Sequence, residues 1–149
     1  MGLDMYLHKV KEVAYWRKAN AIHAWFERNC GEGELGNCED CHVSKDDLLK
    51  LKDDCQKVLK SSKLVYKEVP VKQYDSDKKE FVEVMRTRKV LDDTSLAEEL
   101  LPTEAGFFFG STLYDEDYVE SLEETVEQIT EILEDPDIDE YSFSYHAWW

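Results

Sequence analysis

The sequence predicts an α+β protein, with a mostly antiparallel sheet, helices packed on one side of it and an inserted β-hairpin. Segments with apolar residues at every second position lie near both ends and in the middle of the chain, and segments with helical spacing lie between them. With 149 residues, of which 42% are hydrophobic, the chain has the size of one domain with a buried core. We therefore expect a single domain over residues 1–149, with residues 63–93 as the inserted hairpin.

The N-terminal segment predicts a strand over residues 3–10, because its apolar side chains alternate with other types. A period of two is the pattern of a strand with one buried face. Leu3, Met5 and Leu7 would face the core, which leaves Tyr6 and His8 on the opposite face for a second layer or a ligand.

A helix is predicted over about residues 15–29, and it carries two stripes of side chains. The core stripe, with spacing i, i+4, i+7 and i+11, consists of Tyr15, Ala19, Ile22 and Phe26. A second row on a neighbouring face consists of Trp16, Asn20 and His23, with Arg17 beside it. Three glycines then end the helix and open a loop that continues to residue 42.

A second helix is predicted over residues 44–61. Ser44 is a good N-cap, and Asp47 lies where a capping box needs a carboxylate. Residues 64–71 and 80–90 alternate and predict the two strands of the hairpin, with turn-forming residues between them.

The C-terminal half predicts two helices and two strands. A short helix is expected over residues 94–101 and a long helix over residues 115–134, whose acidic first turn suits the positive end of the helix dipole. The run of three phenylalanines between glycines at residues 106–110 predicts a buried central strand. Residues 141–149 alternate at first and predict a docked terminal strand.

The net charge of −16 is carried by one part of the chain. Residues 1–89 contain all 18 Lys and Arg together with 16 Asp and Glu, whereas residues 90–149 contain 18 Asp and Glu and no Lys or Arg. This asymmetry argues against direct binding of nucleic acid by the C-terminal part, because phosphate contacts need cations. Two interpretations stay open: a solvated acidic surface that maintains solubility, or an acidic face that binds a basic partner.

The chain contains no long apolar run and no basic N-terminal region followed by an apolar stretch, so we expect neither a membrane span nor a signal peptide, and a location in the host cytoplasm. Disulfides are then not expected. Cys38 and Cys41 have the spacing of a zinc-binding pair, with His42, Cys30 and Cys55 near in sequence, but a closed site normally uses two such pairs. We predict free cysteines, no metal site and no cofactor, with structural zinc as the alternative.

The sequence lacks the phosphate-loop, dinucleotide-binding, zinc-protease and nucleophile-elbow motifs, and its remaining chemistry is that of recognition. Arg17 offers a planar fork for phosphate, and Trp16 offers a face on which a base can stack. Small-ligand pockets combine such apolar walls with a few polar groups. The predicted ligand-binding residues are Trp16, Arg17, Asn20, His23, Phe108, Tyr6 and Tyr114. The alternative is a core helix in which Trp16 and His23 only pack and satisfy hydrogen bonds.

Several motifs of the chain occur together in a known group of proteins. They are GLDMYL at residues 2–7, YWRKAN at 15–20, Ile22-His23, Trp25-Phe26, Val43-Ser44, LLPT at 100–103, GFFFG at 106–110, YDE at 114–116 and the aromatic C-terminus ending in Trp149. As a set they resemble small, mostly uncharacterised proteins encoded by phages and prophages. The resemblance covers nearly the whole chain and departs from the group in the 63–93 hairpin and in the cysteines. It implies origin in a mobile element, and with it a role in counter-defence.

Three functions follow as hypotheses, in this order. The first is a non-catalytic counter-defence protein that binds and sequesters a small nucleotide immune signal in the predicted pocket. The second is an anti-CRISPR-like acidic inhibitor that mimics nucleic acid and binds a basic host defence nuclease, or another nucleic-acid-binding effector, through Glu123, Glu127 and Glu131. The third is a small nucleotide enzyme with His23 as acid or base. A deep cavity at Trp16 and Arg17 would favour the first hypothesis and a filled core the second; the oligomeric state stays open.

Overall fold

The computed structural model describes residues 2–106 and 111–149 of the chain. Over these residues the chain forms four α-helices, a short 3₁₀ helix and four strands in two antiparallel sheets, which confirms the predicted α+β class. In chain order the elements are α1 (Asn20–Asn29), β1 (Cys41–Val43), α2 (Lys45–Ser61), β2 (Leu64–Asp75), β3 (Glu80–Leu91), α3 (Ser95–Leu100), α4 (Glu116–Leu133), the 3₁₀ helix (Ile138–Glu140) and β4 (Phe143–Tyr145). The predicted strand at residues 106–110 falls almost wholly outside the described residues.

The core lies among the helices. Residues 20–26 of α1 are all buried, so the first two turns of this helix are enclosed on every side. Trp25 donates its indole N–H to the carboxylate of Asp54 on α2 at 2.9 Å, and this bond satisfies two buried polar groups. Among the helices of residues 2–106 and 111–149, none is both long enough and apolar enough to span a membrane.

Helix α2 starts and ends as predicted. The hydroxyl of Ser44 accepts from the Asp47 N–H at 3.0 Å, and the Asp47 carboxylate accepts from the Ser44 N–H at 2.8 Å. These two bonds complete the capping box, which satisfies two backbone donors at the start of the helix. The buried side of α2 packs mainly against α4, whose own buried side includes Leu122 and Ile129.

Strands β2 and β3 form the predicted hairpin, with 12 residues in each strand. Its base joins the body of the protein, because Val90 and Leu91 are buried and the Leu91 N–H donates to the carbonyl of Tyr114 at 2.9 Å. Beyond the base the two strands pack chiefly on each other, and most of their side chains are half-buried or exposed. The hairpin therefore projects from the helical core.

The second sheet pairs the C-terminal strand with a strand that the sequence did not predict. β1 lies in the expected loop and runs antiparallel to β4, with Cys41 opposite Tyr145. β4 is shorter than the predicted strand at residues 141–149. The last residue is held in place, since the side chain of Asn37 donates to the carbonyl of Trp149 and accepts from its N–H, both at 2.9 Å. The C-terminus is docked, as the sequence predicted.

Two predictions for the N-terminal segment are wrong. Residues 3–10 form no strand and are exposed throughout, because no segment in the described part of the chain pairs with them. Helix α1 begins at Asn20 instead of Tyr15, since Lys18 has a φ of 56°, which a right-handed helix does not accommodate. Tyr15, expected in the core stripe, is 64% exposed, whereas Ile22 in the same stripe is buried as predicted.

Candidate functional site

Trp16 belongs to the core and does not form the wall of a pocket. Its indole N–H donates to the hydroxyl of Thr125 on α4 at 2.8 Å. Its ring meets the ring of Phe26 edge to face, with 5.8 Å between the centroids. The aromatic face that the sequence suggested for stacking a base is therefore used in packing the segment before α1 against α4.

Arg17, Lys18 and Asn20 line an open groove of about 780 Å³ that runs along α4. The opposite wall is acidic, and the carboxylates that line the groove are Asp115, Asp117, Glu120, Glu124 and Glu127. Five carboxylates against two cations give the groove a negative potential. Trp16 is not among the residues that line this groove. The groove is therefore not the deep cavity between Trp16 and Arg17 that would have favoured the nucleotide hypothesis.

Asn20 joins two distant segments of backbone. Its side-chain amide donates to the carbonyl of Ser111 at 2.8 Å, and its side-chain carbonyl accepts from the N–H of Glu104 at 3.1 Å. Asn20 is 6% exposed, so these bonds are shielded from water. The residue fixes the chain at both points, and it also borders the groove.

Tyr6 and Tyr114 do not line the groove with Arg17 and Asn20. Tyr6 is 79% exposed in the extended N-terminal segment. Tyr114 is half-buried; its hydroxyl accepts from the N–H of Thr103 at 3.3 Å, and its ring meets Tyr118 edge to face. Phe108 lies outside the described residues. Of the predicted pocket, the described structure brings only Arg17 and Asn20 together at the groove.

His23 lies in a separate polar cluster that the sequence analysis missed. Its Nε2 is 3.3 Å from a carboxylate oxygen of Glu27, one helical turn further along α1. Its Nδ1 is 2.7 Å from the hydroxyl of Tyr145 on β4, and Glu104 completes the cluster from the segment after α3. The i, i+4 spacing of His23 and Glu27 is visible in the sequence, whereas nothing in the sequence points to Glu104 or Tyr145.

Burial shapes the ionisation of this cluster. Burial lowers the pKa of His23, although the Glu27 carboxylate opposes that effect. Burial, followed by the hydrogen bond and negative charge of Glu27, raises the pKa of Glu104 to about 7. The cluster therefore combines an imidazole whose charged form is disfavoured by burial with a Glu104 carboxyl group that resists ionisation beside Glu27.

The acidic face predicted for the long helix is exposed. Here the α4 face means the seven carboxylates of that helix, which are Glu116, Asp117, Glu120, Glu123, Glu124, Glu127 and Glu131. All seven are exposed, and none takes part in an ion pair within residues 2–106 and 111–149. Glu123, Glu127 and Glu131 follow each other at four-residue intervals and so share one side of the helix. Their charges are thus available to a partner.

The four cysteines are free thiols. Burial raises the pKa of Cys30 and of Cys55 to about 12, and it also raises the pKa of Cys41. Cys38 is exposed. Among the described residues, the side chains that lie close enough together to bind one metal ion are His23, Glu27 and Glu104. This group contains no cysteine.

Comparison of the chain with protein-family models, curated proteins and solved structures finds no match.

Proposed function

We propose that the protein is a non-catalytic acidic inhibitor, which uses the α4 face to occupy the basic nucleic-acid-binding surface of another protein. The observation that carries the proposal is the set of seven exposed carboxylates on an 18-residue helix, without an ion pair among the described residues. The helix is about 27 Å long, which allows it to present a row of negative charges as a nucleic-acid backbone does. The absence of Lys and Arg from residues 90–149 means that no cation of that part of the sequence interrupts the row.

The acidic groove beside α4 also supports binding of a basic partner. Four of its five carboxylates belong to the α4 face, so a partner side chain in the groove meets the same negative charges, and the groove offers about 780 Å³ of space for such side chains. Complementary potentials accelerate association and select against partners of the same charge. The resemblance to phage and prophage proteins is the reason to propose a host defence nuclease, or another nucleic-acid-binding effector, as the partner.

The test compares two triple charge reversals in an inhibition assay with purified defence nucleases. The first variant carries Glu123→Lys, Glu127→Lys and Glu131→Lys, and we expect it to lose inhibition. The matched control carries Glu32→Lys, Glu34→Lys and Glu99→Lys, which change the net charge equally at exposed residues outside α4. Inhibition by the wild type should weaken as salt is added, because exposed charges are screened within about 10 Å at 0.1 M salt. Equal inhibition by both variants would rule the proposal out.

Sequestration of a small nucleotide is the second candidate function. Its support is that Arg17, Lys18 and Asn20 line the groove together, which offers two cations and an amide to an anionic ligand. It ranks second because the same groove carries five carboxylates. Calorimetric titration with a panel of cyclic nucleotides and ADP-ribose derivatives tests it, with Arg17→Ala expected to abolish binding while the fold survives. No heat with any member of the panel would exclude it.

A further inference from the structure

We propose that His23, Glu27 and Glu104 form a binding site for a divalent first-row transition-metal ion. The site is distinct from the α4 face and from the groove, and it needs neither of the functions proposed above. Each residue offers one ligand atom, and these atoms all lie within 4.8 Å of one another.

The spacing of these atoms suits one ion. Two atoms bound to the same metal at about 2.1 Å stand about 3.0–3.5 Å apart, depending on the coordination geometry. Nε2 of His23 and Oε1 of Glu27 are already 3.3 Å apart. A glutamate side chain needs to move by about 1 Å to bring the widest pair into the same range.

Hydrogen bonds from outside the trio orient the side chains of His23 and Glu27 and hold the backbone of Glu104. The hydroxyl of Tyr145 lies 2.7 Å from Nδ1 of His23, which leaves Nε2 directed at Glu27. The second oxygen of Glu27 accepts from the N–H of Leu35 at 3.1 Å. The backbone of Glu104 is held by its N–H bond to Asn20 at 3.1 Å. Such outer partners are typical of metal ligands, because they fix the tautomer of the imidazole and the direction of each lone pair.

The charges of the trio also favour a bound cation. Oε2 of Glu104 is buried and accepts no hydrogen bond from an N–H or O–H group of the described residues, and the neighbour that Glu104 meets in this cluster is a second carboxyl group, that of Glu27. A buried polar atom without a partner is costly, and a buried carboxylate is more costly still. Within residues 2–106 and 111–149, no Lys or Arg forms an ion pair with Glu27 or Glu104. A divalent ion would satisfy the orphaned oxygen and balance both carboxylates.

The donor set identifies the class of metal. An imidazole nitrogen favours zinc, iron, nickel and copper, whereas carboxylates also suit manganese. One nitrogen with two carboxylates is therefore a site for Mn²⁺, Fe²⁺, Co²⁺ or Zn²⁺, in preference to Mg²⁺ or Ca²⁺, which favour oxygen ligands alone. Since no cysteine belongs to the group, the site is chemically separate from the Cys38 and Cys41 pair.

The experiment uses Mn²⁺ as the probe, because thiols compete poorly for it. Mn²⁺ is titrated into the 149-residue protein, and the loss of the electron paramagnetic resonance signal of free Mn²⁺ measures binding. Zn²⁺ is then added to displace the bound Mn²⁺. Glu104→Gln and Glu27→Gln keep the shape of each side chain and remove one ligand charge. Loss of a residue that only hydrogen-bonds to a metal ligand lowers metal affinity roughly 10–100-fold. Loss of a ligand charge should weaken binding at least as much. Glu99→Gln, at an exposed position on α3, is the matched control and should bind as the wild type does.

A positioning residue provides an independent check. Tyr145→Phe removes the hydroxyl beside Nδ1 of His23 and keeps all three ligands, so we expect affinity to fall about 10-fold. Circular dichroism confirms that each variant is folded. If one of the two glutamate variants does not fold, the other still tests the site. An unchanged free Mn²⁺ signal at millimolar metal would overturn the proposal, as would binding that neither glutamate substitution weakens.

Discussion

The hydrogen bond between Trp16 and Thr125 shows how the segment before α1 is fixed to the core, and its removal is a direct test. Thr125 is fully buried, and its hydroxyl accepts from the indole N–H at 2.8 Å while donating to the carbonyl of Ser121 at 2.6 Å. Thr125→Val keeps the shape of the side chain and leaves the indole N–H without its acceptor. A polar group stranded in this way costs about 1–3 kcal/mol, so the free energy of unfolding should fall by that amount.

The same helix supplies the control. The hydroxyl of Thr130 donates to the carbonyl of Val126 at 2.7 Å, one turn earlier, as that of Thr125 does to Ser121. Thr130→Val therefore reproduces the loss of the local bond and the change in helix propensity, without touching the indole. Urea unfolding followed by far-ultraviolet circular dichroism gives both free energies, and Thr125→Val should be lower by about 1 kcal/mol.

A double-mutant cycle with Trp16→Phe isolates the bond itself. If it stabilises the fold, the loss in the double variant is smaller than the sum of the two single losses, with a coupling energy of about 0.5–1.5 kcal/mol. Strictly additive losses, or equal midpoints for Thr125→Val and Thr130→Val, would contradict the assignment of Trp16 to the core.

Three further predictions concern the remainder of the fold. Ser44→Ala removes the N-cap of α2 and should lower the free energy of unfolding by about 1 kcal/mol in urea; an unchanged midpoint would refute the role of the capping box. A thiol reagent should modify Cys38 rapidly in the native protein and Cys55 only as fast as the protein unfolds, because burial raises the pKa of Cys55 to about 12; prompt reaction of Cys55 would be inconsistent with its burial. Asp92 accepts from the hydroxyl of Ser62 at 2.6 Å, which lowers the pKa of Asp92 below its ordinary value of 3.8. The stabilisation by the charged Asp92 is therefore complete above about pH 3.8 and is lost as the pH falls through the lowered pKa. When thermal unfolding is followed below pH 5, the unfolding temperature should fall less with decreasing pH for Asp92→Asn than for the wild type.

The elements that the sequence predicted well are those whose evidence is local. The capping box at Ser44 and the apolar stripe of α2 need only the residues of the helix itself, and the same holds for α4 and the two strands of the hairpin. Residues 3–10 show the limit of that reasoning. Their alternation is real, but a strand also needs a partner, and pairing is a property of the whole chain.

The candidate site was predicted only in part, for a similar reason. Arg17 and Asn20 do line a groove, but the second helical row failed because the positive φ of Lys18 moves the start of α1 to Asn20. Trp16 and His23 therefore do not share a helix face. The partners of His23 come from positions 104 and 145, which are far away in sequence, and a single sequence holds no information about such contacts.

The projecting hairpin divides the protein into regions of unequal local stability. An isolated two-stranded ladder is marginally stable in water, so the outer parts of β2 and β3 open without unfolding of the helical core. Their amide protons exchange with solvent through these local openings, whereas the amide of Leu91, bonded to Tyr114 at the buried base, exchanges only when the core itself opens. The hairpin tip at residues 76–79 thus provides a place where a label or an inserted peptide leaves the packing of the helices undisturbed.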